Sequence, residues 1–132
     1  MAGAVTPDAV RAAALDIMTA RRWVWGVSDC SAAACDVFAR LHGVDPLAPL
    51  RGRYRTAAEA RAAQGPDWTA VCRALAARAG LVEGAEAPGA LGLIRQAEGA
   101  VLAVCIRPGV WVAKTPGGLA EVRVEAECCW SV

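Results

Sequence analysis

The hydrophobic period of this chain changes once, and that change constrains the fold more than any motif does. Up to about residue 80 apolar residues recur at helical spacing. Beyond Leu91 they alternate, or form short runs separated by Pro-Gly turns. Helices gathered before strands imply an α+β fold, with N-terminal helices packed on a small C-terminal antiparallel sheet, and not an alternating α/β chain. With 132 residues and no repeat or linker, the pattern predicts one domain over 1–132. A chain of that length buries roughly two-thirds of its unfolded surface and needs no disulfide or metal staple.

Boundary signals divide the first half. Thr6-Pro7-Asp8 is an N-cap with Pro at the first helical position, and Val10, Ala14, Ile17 and Met18 carry the stripe towards Ala20. Ser28 or Asp29 caps a second helix, whose stripe is Cys30, Ala34, Val37, Phe38 and Leu41 and whose stop is Gly43. Residues 44–55, with two prolines, read as an ordered loop. Thr56-Ala57-Ala58-Glu59 is a capping box for a short third helix ending near Gly65. Asp67 caps a fourth, with Trp68, Val71, Cys72, Leu75 and Ala79 along it and Gly80 as its stop. A turn over 83–89 leads to strands at 91–95, 101–107, 110–114 and 119–125.

Charge and cysteine usage exclude several functions. Fourteen basic residues against thirteen acidic leave a formal net charge of +1, which argues against a nucleic-acid binder. The apolar runs are too short to span a bilayer, so no membrane partner is expected. No basic segment leads into an apolar run at the N-terminus, so synthesis is expected in the cytoplasm, with reduced thiols. The six cysteines include no C-x-x-C and only one histidine, His42, accompanies them, so no metal and no cofactor are expected. Cys128-Cys129 reads as a pair of buried small hydrophobes. Alanine fills 31 positions, and Lys114 is the only lysine beside thirteen arginines, a bias that GC-rich codons explain. The segment Arg51-Gly52-Arg53-Tyr54-Arg55 reads as a solvated loop.

Chemistry concentrates in Trp25-Gly26-Val27-Ser28-Asp29-Cys30-Ser31. A cysteine in the first turn of a helix meets unpaired N–H groups and the positive end of the dipole, which favour thiolate. Burial opposes it. Spacing alone also fits Cys30 as a small residue on a core-facing stripe. Trp25 is the aromatic best placed to line a groove, while Trp68, Trp111 and Trp130 lie in periodic apolar contexts that suit a core.

Trp25-Gly26 followed by Asp29-Cys30-Ser31 at a helix start resembles the NlpC-type branch of papain-like cysteine peptidases and amidases. Gly43-x-Asp45-Pro46, Arg51-Gly52-x-Tyr54 and the closing Trp130 look more specifically like small phage and prophage tail-associated relatives of that fold. The resemblance implies Cys30 as nucleophile, with Trp25, Gly26, Asp29 and Ser31 beside it in a groove. It also implies phage tail proteins or peptidoglycan peptides as partners, and a place in a phage particle.

The departures bear on activity. Where relatives that cleave peptides open a strand with Gly-Asp, this chain has Gly89-Ala90, and Val101 or a neighbour stands where their basic His should be. No histidine follows His42, which at 1.5 Å per helical residue lies about 18 Å from Cys30. His42 is expected to end its helix, near the negative dipole end. Glu98 or Glu121 would have to approach from the strands to serve as a base. The expectation is therefore a catalytically impaired module acting in binding or tail assembly. The alternatives are a cysteine hydrolase with a non-standard base, and a plain interaction protein with Cys30 in its core. The first structural expectation places Cys30 in the first turn of a helix packed on the sheet formed after Leu91.

Overall fold

A computed structural model describes residues 4–97 and 99–132; Glu98 lies outside the described residues. Four helices precede the sheet: α1 (Pro7–Ala20), α2 (Cys30–His42), α3 (Ala57–Gln64) and α4 (Trp68–Arg78). The strands are β1 (Val82–Glu83), β2 (Leu91–Gln96), β3 (Gly99–Arg107), β4 (Val110–Thr115), β5 (Gly118–Arg123) and β6 (Cys128–Ser131). They form one antiparallel sheet in the order β1-β6-β2-β3-β4-β5. The architecture is α+β. No helix among the described residues is long and apolar enough to cross a membrane.

The helix starts follow local chemistry. Thr6, Asp29, Thr56 and Asp67 each accept a hydrogen bond from the backbone N–H three residues on, which satisfies one orphan donor per helix. Asp29, not Ser28, caps α2. Gly43 closes it with φ +76°, a left-handed conformation that glycine adopts at no steric cost.

Two strands depart from the sequence expectation. The turn expected over 83–89 begins later, because Val82 and Glu83 pair with Ser131 and Trp130 as an edge strand. Cys128–Ser131, where no strand is expected, inserts between β1 and β2, pairing Cys128, Cys129 and Trp130 with Leu93, Gly92 and Leu91. Four residues are too few to display a period, and their partners lie more than thirty positions away, so local patterning misses them.

The pleat sends side chains to two cores. Leu91, Leu93, Leu102, Val104, Ile106, Val112, Cys128 and Trp130 face the helices, where Val10, Met18, Val37, Phe38, Cys72 and Ala76 meet them. Ile94, Ala103, Cys105, Trp111, Ala113 and Cys129 form a smaller cluster on the opposite face. There the Trp111 ring lies against Gly92, whose missing side chain makes room: a Cβ would stand 2.5 Å from it. Glu86 closes this face, accepting from the Gly109 N–H at 2.7 Å, the Trp111 indole N–H at 3.1 Å and the Ala126 N–H at 2.8 Å. Trp111 and Trp130 are buried as expected, whereas Trp68 is only partly so.

Candidate functional site

The start of α2 is held by Asp29, whose side chain is almost wholly buried at 1% exposure. Its Oδ1 accepts from the Ala32 N–H at 2.9 Å and its Oδ2 from the Gly26 N–H at 2.8 Å. The Tyr54 phenol lies beside the same carboxylate, which favours its protonated form. Gly26 sits at φ +78°, and a Cβ there would meet the Tyr54 carbonyl oxygen at 2.3 Å, so the turn before the helix accepts only glycine. Burial and the Asp29 charge push the Tyr54 phenol above its ordinary value, keeping it a neutral donor.

Cys30 occupies the first turn, as expected, on a helix that packs against β2, β3 and β4. Its thiol faces elsewhere. The cavity beside it is lined by Trp25, Asp29, Ser31, Tyr54, Gln64 and Trp68, on the start of α2, the loops either side of that helix, α3 and α4, with no strand residue among its described lining. At about 20 Å³ it has room for one water and no substrate. Burial, and next the Asp29 charge, push the Cys30 thiol up to about 11, against hydrogen bonding with Ser31 that favours thiolate. The helix N-terminus does not prevail: at neutral pH this sulfur is a thiol.

None of the expected bases among the described residues reaches it. His42 stands at the other end of α2, with Nε2 donating to the Gly89 carbonyl at 2.9 Å and the ring tilted on Phe38 at 4.4 Å. Its role is therefore to tie the helix end to the loop before β2, rather than only to face the dipole. Val101 packs into the cluster on the far face of the sheet, so a side chain at that position points away from α2; Leu102 is the neighbour that faces the helices. Glu121 pairs with Arg11 at 3.0 Å on the surface. Among the described residues Asp29 is the one carboxylate lining the cavity, and its oxygens are committed to Gly26 and Ala32.

A larger feature lies on the other side of the turn. A groove of about 720 Å³ runs between the end of α1 and the first turns of α2, and Gly26 and Ser28 line it. Gly26, although its N–H holds Asp29, thus lines a different cavity from Trp25, Asp29 and Ser31, the other residues expected around Cys30. The groove's floor is Lys114, only 5% exposed, on the helix-facing side of β4. Its ammonium donates to the Arg21 carbonyl at 2.8 Å and the Arg22 carbonyl at 3.5 Å, while the Ser28 hydroxyl donates to Arg22 at 2.7 Å. These contacts close the C-terminus of α1 with a cation, the sign its dipole favours. Burial, and Arg21 beside it, lower the Lys114 pKa, and Asp29 and Asp36 raise it less.

Sequence reasoning passed over Lys114, although a lysine continuing the Val110, Val112 period of a strand is a visible signal. Arg51 corrects another expectation. Instead of belonging to a solvated loop, it pairs with Asp45 at 2.6 Å and Asp36 at 2.7 Å, binding its loop to α2. All six cysteines are free, Cys128 and Cys129 are buried, and the described residues hold no cluster of three or more His, Cys, Asp or Glu placed to take a metal.

A family model described as a domain of unknown function (DUF6950) matches residues 7–132, and the chain belongs to that family. No curated protein and no solved structure matches it.

Proposed function

We propose that this member of the DUF6950 family is a catalytically impaired, NlpC-type papain-like module that acts by binding, as a component of phage or prophage tail assembly. The observation that carries the reading is the state of Cys30: a thiol pushed up to about 11, in a cavity for one water, with no available base among the described residues beside it. A thiol attacks an amide efficiently only with an adjacent base or a lowered pKa, and Cys30 has neither. The order of helices before an antiparallel sheet, and the Asp29-Cys30-Ser31 start of α2, support the likeness of fold. The tail setting rests on the sequence resemblance. A hydrolase with a non-standard base would have to recruit Asp29, whose negative charge opposes the thiolate it would need to create.

The test is incubation of the purified protein and its Cys30→Ser variant with peptidoglycan peptides. The account expects no turnover by either, equal thermal midpoints and equal partner capture. Turnover by the parent that vanishes in Cys30→Ser would overturn it.

A further inference from the structure

The groove over Lys114 carries a charge imbalance that its own residues leave open. Of the side chains lining it, Arg40 is paired with Asp16, and Arg51 with Asp36 and also with Asp45 outside it. Both acids of the groove are thereby engaged. Arg21 and Lys114 remain, and among the described residues neither has a carboxylate within ion-pair distance. A second, smaller cavity of about 260 Å³ opens on the opposite side of the same two residues. Lys114 and Arg21 therefore stand where two cavities meet, and the larger has the volume of a ligand site.

A buried ammonium whose close partners among the described residues are backbone carbonyls, with Asp29 and Asp36 acting on it only from beyond ion-pair distance, is short of counter-charge. Its low exposure also removes the water that would screen an incoming anion. Ile17 and the half-exposed Val27 add apolar wall to the charged lining, so the groove suits a chain with small apolar residues between acidic ones, more than a small ion.

We propose that the groove binds an extended acidic peptide segment of a partner protein, with one carboxylate seated between the Lys114 ammonium and the Arg21 guanidinium. This rests on the binding-module reading above and specifies what is bound. The carboxylate accepts from both cations, while the peptide backbone lies along the turn at Gly26 and Ser28.

The experiment titrates the full chain by calorimetry with an acetylated, amidated Ala-Glu repeat peptide, its Gln-for-Glu counterpart, and inorganic phosphate at matched ionic strength. Binding of the Glu peptide and not of the Gln peptide is expected. Arg21→Gln, at an exposed residue, should weaken it about 5–10-fold at an unchanged melting temperature, the loss of one charge-assisted contact. Lys114→Met should weaken it at least about 10-fold; if that variant does not fold, Arg21→Gln alone decides. Equal binding of both peptides, no binding, phosphate binding as tightly as the Glu peptide, or an Arg21→Gln variant that binds like the parent overturns the proposal. Cleavage of the peptide dependent on Cys30 would instead sink the non-catalytic reading, so the two failures are distinct.

Discussion

Replacing Asp29 by Ala strikes the residue on which the start of α2 depends, and its cost follows from two hydrogen bonds. Loss of the cap to the Ala32 N–H costs about 1 kcal/mol, as for other N-caps. The Gly26 N–H becomes a buried donor without a partner, at about 1–2 kcal/mol. The total is about 2–3 kcal/mol, a large part of the 5–15 kcal/mol typical of a folded domain. Asp29→Asn keeps the cap but turns a donor towards Gly26 in place of Oδ2, and should cost about half as much. Tyr54→Phe leaves both backbone donors on the carboxylate and should cost less than Asp29→Ala, about 1 kcal/mol or less. Thr56→Ala removes a solvent-exposed cap on Glu59 and serves as the reference, at about 1 kcal/mol or less. Urea unfolding followed by tryptophan fluorescence and far-UV circular dichroism reads all four, provided the m-value is constant. If Asp29→Ala costs no more than Thr56→Ala, the buried network has no special weight and the reasoning is wrong.

Two further outcomes follow from the far face of the sheet. Burial works to raise the Glu86 carboxyl, but the Gly109, Ala126 and Trp111 donors outweigh it and hold it below the ordinary glutamate value. Its contribution is therefore present above the unfolded pKa and lost as pH falls through the folded one. Glu86→Ala should cost about 2–4 kcal/mol at neutral pH, with the gap to the parent narrowing in acid, as denaturation at several pH values will show. Gly92→Ala sets a Cβ 2.5 Å from the Trp111 ring and should destabilise by about 1–3 kcal/mol, with an altered near-UV spectrum; a spectrum and midpoint like the parent's would refute that packing.

What was legible in the sequence is what is local. Thr6, Thr56 and Asp67 announce their helices because a cap and its N–H lie three residues apart, and Gly43 announces an end because its φ is a property of one residue. The strands from β2 to β5 show because each is a run joined to the next by a turn. β6 does not show, since Cys128-Cys129-Trp130 is a strand only by virtue of β2. The site divides the same way. The first-turn position of Cys30 follows from Asp29, yet which way its sulfur faces depends on α3, α4 and Tyr54, which no spacing relates to it. The facing of Val101 is likewise a matter of register: pairing with Ile94 puts it on the far face, away from α2. Lys114 shows the converse case, a polar residue at a core-facing position, where local and tertiary demands conflict and a functional site is most readily found.

The central claim is that Cys30 is a partly buried, desolvated thiol and not a poised nucleophile, and its alkylation as a function of pH tests that most directly. Iodoacetamide labelling of the native protein, read on the peptide containing Cys30, should be slower than that of a free small thiol near neutral pH. The rate should still be climbing at about pH 10, as a sulfur titrating near 11 requires. Fast labelling that reaches a plateau below about pH 8 would mean an activated thiolate. It would contradict the account at its base.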